Sequence, residues 1–152
     1  MPAEEKERTM VHMASRVWGQ IGLNLLRIMA GFLMAPHGAQ KLFGVLGADP
    51  VEFPSLLALA GLLELFGGLA IFFGFYTRTA AFLLAGELAT AYWMVHGPRA
   101  FLPIVNRGEL AVLFCFAFFL LFTNGGGNFS IDGWLRWRRK GRMSWRERDV
   151  AA

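Results

Sequence analysis

Three ionisable residues interrupt long apolar stretches of this sequence: Arg27 in the first stretch, Glu64 in the second and Glu87 in the third. A charge at the centre of a lipid bilayer costs roughly 2.5 to 17 kcal/mol, so such side chains must face one another or a wet cavity. We therefore predict that Arg27, Glu64 and Glu87 meet inside a helical bundle as its catalytic centre. Because two carboxylates would face one guanidinium, one glutamate is expected to be partly protonated near neutral pH.

A proton held at this depth suits quinone chemistry, since quinone reduction takes up two protons with two electrons. Arg27 would neutralise negative charge on a quinone oxygen, and Glu64 or Glu87 would deliver protons. A structural network that only holds the bundle together is the alternative.

A second set of polar residues is predicted to bind substrate. His37 and Lys41 follow Pro36 and would line the extracytoplasmic mouth, where they would recognise an anionic head group or a small anion. His96 ends the third stretch, and Glu109 begins the fourth, where a favourable helix dipole alone could explain its carboxylate.

The fifth candidate for substrate binding, Asn24, shares one helical stripe with Arg27, because spacings of 4, 3, 4 and 3 place a set of residues on one face: Gln20, Asn24, Arg27, Gly31 and Met34.

Two cofactor alternatives use the histidines. His37 and His96 could ligate haem axially, and with Met34 and Met94 they could bind copper(I), which prefers thioether and imidazole ligands. No dedicated metal site is predicted. The single cysteine, Cys115, excludes an internal disulfide and a CxxC pair, so redox chemistry must come from a cofactor or a partner.

Four apolar stretches carry these residues, at about 17–35, 55–75, 79–95 and 107–123. Each matches a hydrocarbon core roughly 30 Å thick. A composition that is 55% hydrophobic and only 17% charged excludes a disordered chain and leaves too little polar surface for a small soluble fold. The sequence therefore predicts an all-α, integral membrane four-helix bundle, preceded by a solvated leader over residues 1–16.

Residues 124–152 are predicted to be a glycine-rich hinge followed by a basic interfacial tail. Gly125-Gly-Gly127 would uncouple the last span, and the Trp/Arg run from Trp134 to Lys140 would bind anionic lipid head groups. Nucleic-acid binding is the alternative interpretation of this basic run, and it is not predicted, because runs this basic commonly lie next to a membrane span. With four spans, eleven Lys and Arg residues share the side of both termini and three lie opposite, which places both termini in the cytoplasm.

Several segments together resemble the DoxX family of small four-helix bacterial membrane proteins, over roughly residues 20–133. They are Arg27 to Phe32, His37-Gly38 with Lys41 to Gly44, Gly61 to Gly68, Thr77 to Ala80, Glu87, and Asn106 to Ala111. The resemblance implies a bundle whose interior bears Arg, His, Lys and Glu, matched here by Arg27, His37, Lys41, Glu64, Glu87 and Glu109.

Relatives in that family include the membrane subunit of thiosulfate:quinone oxidoreductase, subunits of oxidoreductase complexes that handle thiol or oxidative stress, and proteins that accompany methylamine dehydrogenase maturation. This chain lacks the cysteine pair of the thiol-exchanging members.

We accordingly expect a multi-pass protein of the bacterial cytoplasmic membrane that couples a soluble oxidoreductase to the quinone pool, as a subunit rather than a self-sufficient enzyme. A small-solute or proton transporter and a structural or maturation scaffold are the alternatives. The lateral surface of four short helices is also compatible with a homo-oligomer.

Overall fold

A computed structural model describes residues 3–139, and within that range the chain is helical and has no strands. The helices are α1 (Ala3–Phe43), α2 (Leu56–Phe73), α3 (Thr77–Ala91), α4 (Pro103–Asn106), α5 (Glu109–Asn124) and α6 (131–139). A π-helical turn, Tyr92–His96, continues α3. The predicted all-α class is confirmed.

Helix α1 is far longer than the stretch at 17–35 that the sequence predicts. It runs through Pro36 to Phe43, so the proline that follows the predicted stretch does not end the helix, and His37 and Lys41 lie in its last two turns. The missing N–H of Pro36 costs one hydrogen bond. Packing of this part of α1 on α2, where Met34, Ala35 and Gly38 are buried, outweighs that loss.

The predicted leader is also helical. Residues 4–19 are exposed and form the first turns of α1, with Glu4 and Glu5 in the first turn, where the helix dipole favours carboxylates. At 1.5 Å per residue, the 41 residues of α1 reach about 60 Å, twice the thickness of a hydrocarbon core. Only part of this helix can therefore lie in a membrane.

Helix α2 has a clear local signal at each end. Ser55 is its N-cap and its Oγ accepts a hydrogen bond from the Ala58 N–H at 3.1 Å. Gly74 ends it in the left-handed region at a φ of 70°, which places the Phe75 N–H 2.9 Å from the Ala70 carbonyl. These caps are why α2 lies within two residues of the predicted stretch at 55–75.

Helices α1 and α2 approach closely because small residues line their contact. A Cβ on Gly38 would lie 2.5 Å from the Gly61 carbonyl oxygen, and one on Gly68 would lie 2.6 Å from the Ala35 nitrogen. The backbones can touch only where side chains are absent. Gly38, Gly61 and Gly68 therefore let α1 lie directly against α2.

The second tight pair is α3 with α5, and the core lies between the two pairs, built from Met34, Ile71, Leu84, Phe118 and Leu121. Many large apolar side chains point outward instead, and Leu113, Phe66 and Phe116 are each more than 60% exposed. Two helices, Glu4–Phe43 and Leu56–Phe73, are long and apolar enough to cross a membrane, and Glu109–Asn124 is a shorter apolar helix.

The glycine-rich segment that follows α5 is not the flexible hinge that the sequence predicts. Gly125, Gly126 and Gly127 are all buried, and Ser130 after them caps α6 by accepting the Gly133 N–H at 2.9 Å. Helix α6 begins the predicted basic tail, in which Arg138 lies over the Trp134 ring at 4.6 Å. The rest of that tail, from residue 140 onward, lies outside the described residues.

Candidate functional site

A buried ion pair joins α1 to α2. The Lys41 Nζ lies 2.6 Å from both carboxylate oxygens of Glu64. Glu64 is 4% exposed, whereas the Lys41 side chain keeps 27% of its surface accessible. Gly61 allows this contact, because a Cβ there would lie 3.1 Å from the Lys41 Cβ and would push the lysine stem away from α2.

Glu87 of α3 completes a group that we call the Lys41 cluster, made of Lys41, Glu64 and Glu87. Glu87 interacts electrostatically with the other two, and its Oε2 is buried without a hydrogen-bond partner among the described residues. A buried carboxylate oxygen without a partner is costly, which favours a proton on it or a bound donor. Two carboxylates with one ammonium form a group that can bind and release a proton.

The cluster lies near the middle of the bundle. Glu64 is the ninth residue of the 18 in α2, and Glu87 is the eleventh residue of the continuous run from Thr77 to His96. The predicted proximity of the two glutamates is thus found in the structure. The cation between them is Lys41, an ammonium, and not the expected guanidinium.

Arg27 does not meet the glutamates, so the predicted three-residue centre is wrong in its cation. The Arg27 side chain is 2% exposed and donates to backbone carbonyls: Nη1 to Ile71 at 2.9 Å and to Phe72, and Nη2 to Phe129 at 2.6 Å. Ile71 follows Glu64 by seven residues, which separates the two groups by about 10 Å along α2. Carbonyls in the last turn of a helix lack their usual α-helical partners. Ile71 also accepts the Gly74 N–H at 3.0 Å, and the Arg27 guanidinium adds donors to both Ile71 and Phe72.

Asn24, predicted to bind substrate, belongs with Arg27. It is 4% exposed, its Oδ1 accepts the Phe129 N–H at 3.2 Å, and its Nδ2 donates to Gln20. Gln20 in turn accepts the Asn128 N–H at 3.2 Å. The predicted polar stripe of α1 is confirmed. Near Asn24, however, its polar groups bind the segment that follows α5.

Asp132 is a residue of this region that the sequence analysis missed. Its carboxylate accepts the N–H groups of Tyr76 and Thr77 at 3.0 and 2.8 Å, and so caps α3, whose own N-cap residue makes no side-chain bond. Ser130, two residues earlier, is a typical N-cap residue and could have indicated a helix start beside Asp132. Spacing along the chain could not indicate that Asp132 binds the N–H groups of Tyr76 and Thr77, more than 50 residues earlier.

His96 lies at the other end of the bundle, within the π-helical turn. Its Nδ1 is 3.1 Å from the Asn106 carbonyl oxygen. The Asn106 side chain is 2% exposed and donates to Ala100 and to the Tyr92 hydroxyl. His96 and Asn106 therefore fix the loop between α3 and α5.

The other predicted substrate-binding residues have different surroundings. His37 is half-buried and precedes Lys41 by four residues, so it lies beside the Lys41 cluster on the same side of α1. Glu109 is exposed in the first turn of α5, which fits the helix-start interpretation. Met34 is buried and Met94 is 60% exposed, and residues 3–139 contain no group of three or more His, Cys, Asp or Glu side chains able to hold a metal ion.

Comparison with known proteins assigns the family. The sequence model of the DoxX family matches residues 22–97 of this chain. An uncharacterized protein of Haemophilus influenzae is 32% identical over 117 residues, which cover 72% of this chain and 87% of the relative. Inner membrane protein YqjF of Escherichia coli is 32% identical over 123 residues, or 74% and 90% of the two chains.

The chain belongs to the DoxX family. The resemblance predicted from the motifs is confirmed, and the protein is a membrane protein. A third relative, named "Putative oxidoreductase CatD" in Bacillus subtilis, is 35% identical over 77 residues, covering 47% of this chain and 58% of the relative. No solved structure matches the chain.

The DoxX match covers the whole Lys41 cluster and two of the three α1 residues that hold the chain after α5, Asn24 and Arg27; the third, Gln20, lies just before it. It ends at residue 97, before Asn106, Glu109 and Asp132. The family assignment thus concerns the helices that carry the buried charges. It does not supply a substrate, because one fold can host several activities.

Proposed function

We propose that this DoxX protein is a multi-pass subunit of the bacterial cytoplasmic membrane that couples a soluble oxidoreductase to the quinone pool, and that protons pass through the Lys41 cluster. The observation that carries the proposal is the Oε2 of Glu87, which is buried beside the Lys41–Glu64 ion pair and has no hydrogen-bond partner within residues 3–139. A group of this kind at membrane depth favours proton transfer or ligand binding over a surface role. The oxidoreductase named among the relatives supports the redox interpretation.

The proposed topology has four spans with both termini in the cytoplasm. Helices α1, α2 and α5 and the run from α3 through the π-helical turn are the four long elements of the described residues. The positive charge on the side of the termini supports this orientation. In it, Lys41 approaches the glutamates from the outer side, and Arg27 lies towards the cytoplasm.

Quinone is the substrate that fits these residues. Its reduction to quinol consumes two electrons, which the soluble partner would supply, and two protons. Glu87 would donate the two protons one at a time through its unpartnered oxygen, taking up a new proton from the aqueous phase after each transfer, while the Glu64 carboxylate would hold Lys41 beside it. Lys41 takes the electrostatic role that the sequence assigned to Arg27, because Arg27 is already occupied by three carbonyl groups.

The test begins with the protein purified from its native membranes in a mild detergent, together with whatever it binds. Quinone in the preparation is extracted and quantified by mass spectrometry, and co-purifying proteins are identified. We expect bound quinone and a soluble oxidoreductase with the wild type, and loss of quinone-dependent turnover with Glu87→Gln, because an amide cannot give up a proton. Glu109→Gln is the matched control, because it removes an exposed carboxylate from a neighbouring helix.

The alternatives give different results. Proton or solute flux in proteoliposomes that contain no electron donor would favour a transporter and contradict the redox role. A scaffold would show Glu87→Gln losing abundance and activity in proportion. Normal abundance with full quinone-dependent turnover in both Glu64→Gln and Glu87→Gln would exclude the Lys41 cluster as the proton site.

A further inference from the structure

A groove at the opposite end of the bundle from His96 collects positive charge. It lies between the start of α3, the glycine segment and α6, and has a volume of about 410 Å³. Arg78, Arg136 and Arg139 line it together with Thr77 and Asp132. We call it the arginine groove. It is separate from the Lys41 cluster.

Two of the three arginines are held in place by backbone carbonyls. Arg78 donates from Nη1 to Phe122 at 3.0 Å, and Arg136 donates from Nη2 to Gly127 at 3.2 Å. Each guanidinium has further N–H groups beyond those used in these bonds. The Asp132 carboxylate does not neutralise the groove, since three arginines outnumber it and both of its oxygens accept the N–H groups that begin α3.

A second observation points to a missing ligand. Thr77 is 0% exposed and lines the groove, yet its Oγ1 has no hydrogen-bond partner among the described residues. A buried hydroxyl without a partner is costly, and an acceptor placed in the groove would satisfy it. Three guanidinium groups beside a hydroxyl donor are suited to phosphate oxygens.

We propose that the arginine groove binds the phosphate of an anionic glycerophospholipid. Cavities of this volume accommodate molecules larger than a lone ion. The groove also has apolar lining from Phe75 and Leu135, which are 45% and 37% exposed and could contact the glycerol and the upper acyl chains. Tyr76 and Trp134 are half to two-thirds exposed beside it, and such aromatic residues are typical of the membrane interface.

The inference refines the expectation that the basic tail attracts anionic lipid. A diffuse attraction would depend on total charge alone, whereas this site needs Arg78, which lies outside the tail, and discriminates between neighbouring arginines of α6. Arg139 lines the groove, but Arg138 lies over the Trp134 ring and does not line it. The pair Arg138 and Arg139 therefore provides a matched comparison of equal charge on one helix.

The experiment measures binding of short-chain phosphatidylglycerol to the full-length protein in a nonionic detergent by titration calorimetry. We expect Arg78→Gln and Arg139→Gln each to weaken binding about fivefold, and Arg138→Gln to change it less than twofold. Thr77→Val should weaken binding without lowering thermal stability, because the hydroxyl has no partner to lose. Phosphatidylcholine should bind weakly to all variants.

Two results would overturn the proposal. Equal effects of Arg138→Gln and Arg139→Gln would show diffuse attraction and no site. Inorganic phosphate or glycerol phosphate binding as tightly as phosphatidylglycerol, with the same dependence on Arg78, would identify a soluble anion as the ligand and exclude the lipid. If Arg78→Gln fails to fold, Arg139→Gln still decides the matter, because its side chain is exposed.

Discussion

A double-mutant cycle can distinguish the observed partner of Glu64 from the one that the sequence predicts. The variants are Lys41→Met, Arg27→Met and Glu64→Gln, alone and in the two pairs with Glu64→Gln. At 2.6 Å and an effective dielectric constant of about 20, the Lys41 and Glu64 charges attract by about 6 kcal/mol. Desolvation offsets much of this, so we expect a coupling free energy of about 2 to 3 kcal/mol.

We expect a much smaller coupling for Arg27. Its guanidinium bonds to the Ile71 carbonyl, about 10 Å along α2 from Glu64, where the same calculation gives an attraction of only about 1.7 kcal/mol before desolvation. Groups so far apart are usually additive to within about 0.5 kcal/mol. The free energy of unfolding would be measured by denaturant titration in mixed micelles, following tryptophan fluorescence. Each variant must first show wild-type helix content. A coupling of Arg27 to Glu64 equal to or larger than that of Lys41 would refute the geometry described above.

Substitutions at three positions, Gly38, Arg27 and Asp132, test the packing and capping of the bundle by thermal unfolding in detergent. Gly38→Ala should destabilise the protein by about 1 to 3 kcal/mol, because its Cβ meets backbone of α2. Gly86→Ala, with open space around it, should be neutral or slightly stabilising. Equal effects of the two substitutions would contradict the close approach of α1 and α2. Arg27→Met should cost about 3 kcal/mol and open the chain after α5 to proteolysis, so unchanged cleavage there would count against its capping role. Asp132→Ala should cost about 1 kcal/mol as a lost helix cap, and Asp132→Asn should restore part of it; no loss with alanine would exclude the cap.

The sequence predicts α2 and α5 to within a few residues because their ends carry local signals. Ser55 and Gly74 flank α2, and Gly108 and Gly125 flank α5. The end of α1 could not be found in the same way. Pro36 is a local signal for a stop, and it is overridden by packing against α2, which is a contact between residues far apart in the sequence.

The error in the buried centre follows from that missed continuation. The stripe of α1 that includes Arg27, Gly31 and Met34 continues with the same spacing to Gly38 and Lys41. Extending it past Pro36 would have placed Lys41 on the face that meets α2. The position of Glu64 relative to Arg27 or Lys41 also depends on how far α2 is displaced along α1, which no spacing within one helix reveals.

The segment after α5 is predicted to be a hinge but is buried in the structure, for a different reason. Three consecutive glycines are typical of a flexible linker. Here the small residues allow the chain to pass close to other groups, since a Cβ on Gly126 would lie 2.5 Å from the Thr77 Oγ1. Composition alone does not distinguish a segment that needs freedom from one that needs close approach.

The two buried cations of α1 occupy positions that suit their chemistry. Arg27 faces carbonyl groups from two separate segments, and a planar guanidinium with five donors can satisfy them together while staying charged. Lys41 faces a carboxylate, and an ammonium on a flexible stem is a compact charge whose three donors can reach both oxygens of Glu64. The guanidinium of Arg27 thus lies where hydrogen bonds join α1 to α2 and to the chain after α5. The compact charge of Lys41 lies in the same cluster as Glu87, whose Oε2 is buried without a partner among residues 3–139, and this is where the proposed proton transfer would occur. Arg27 instead holds together the end of the bundle where α2 meets the chain after α5.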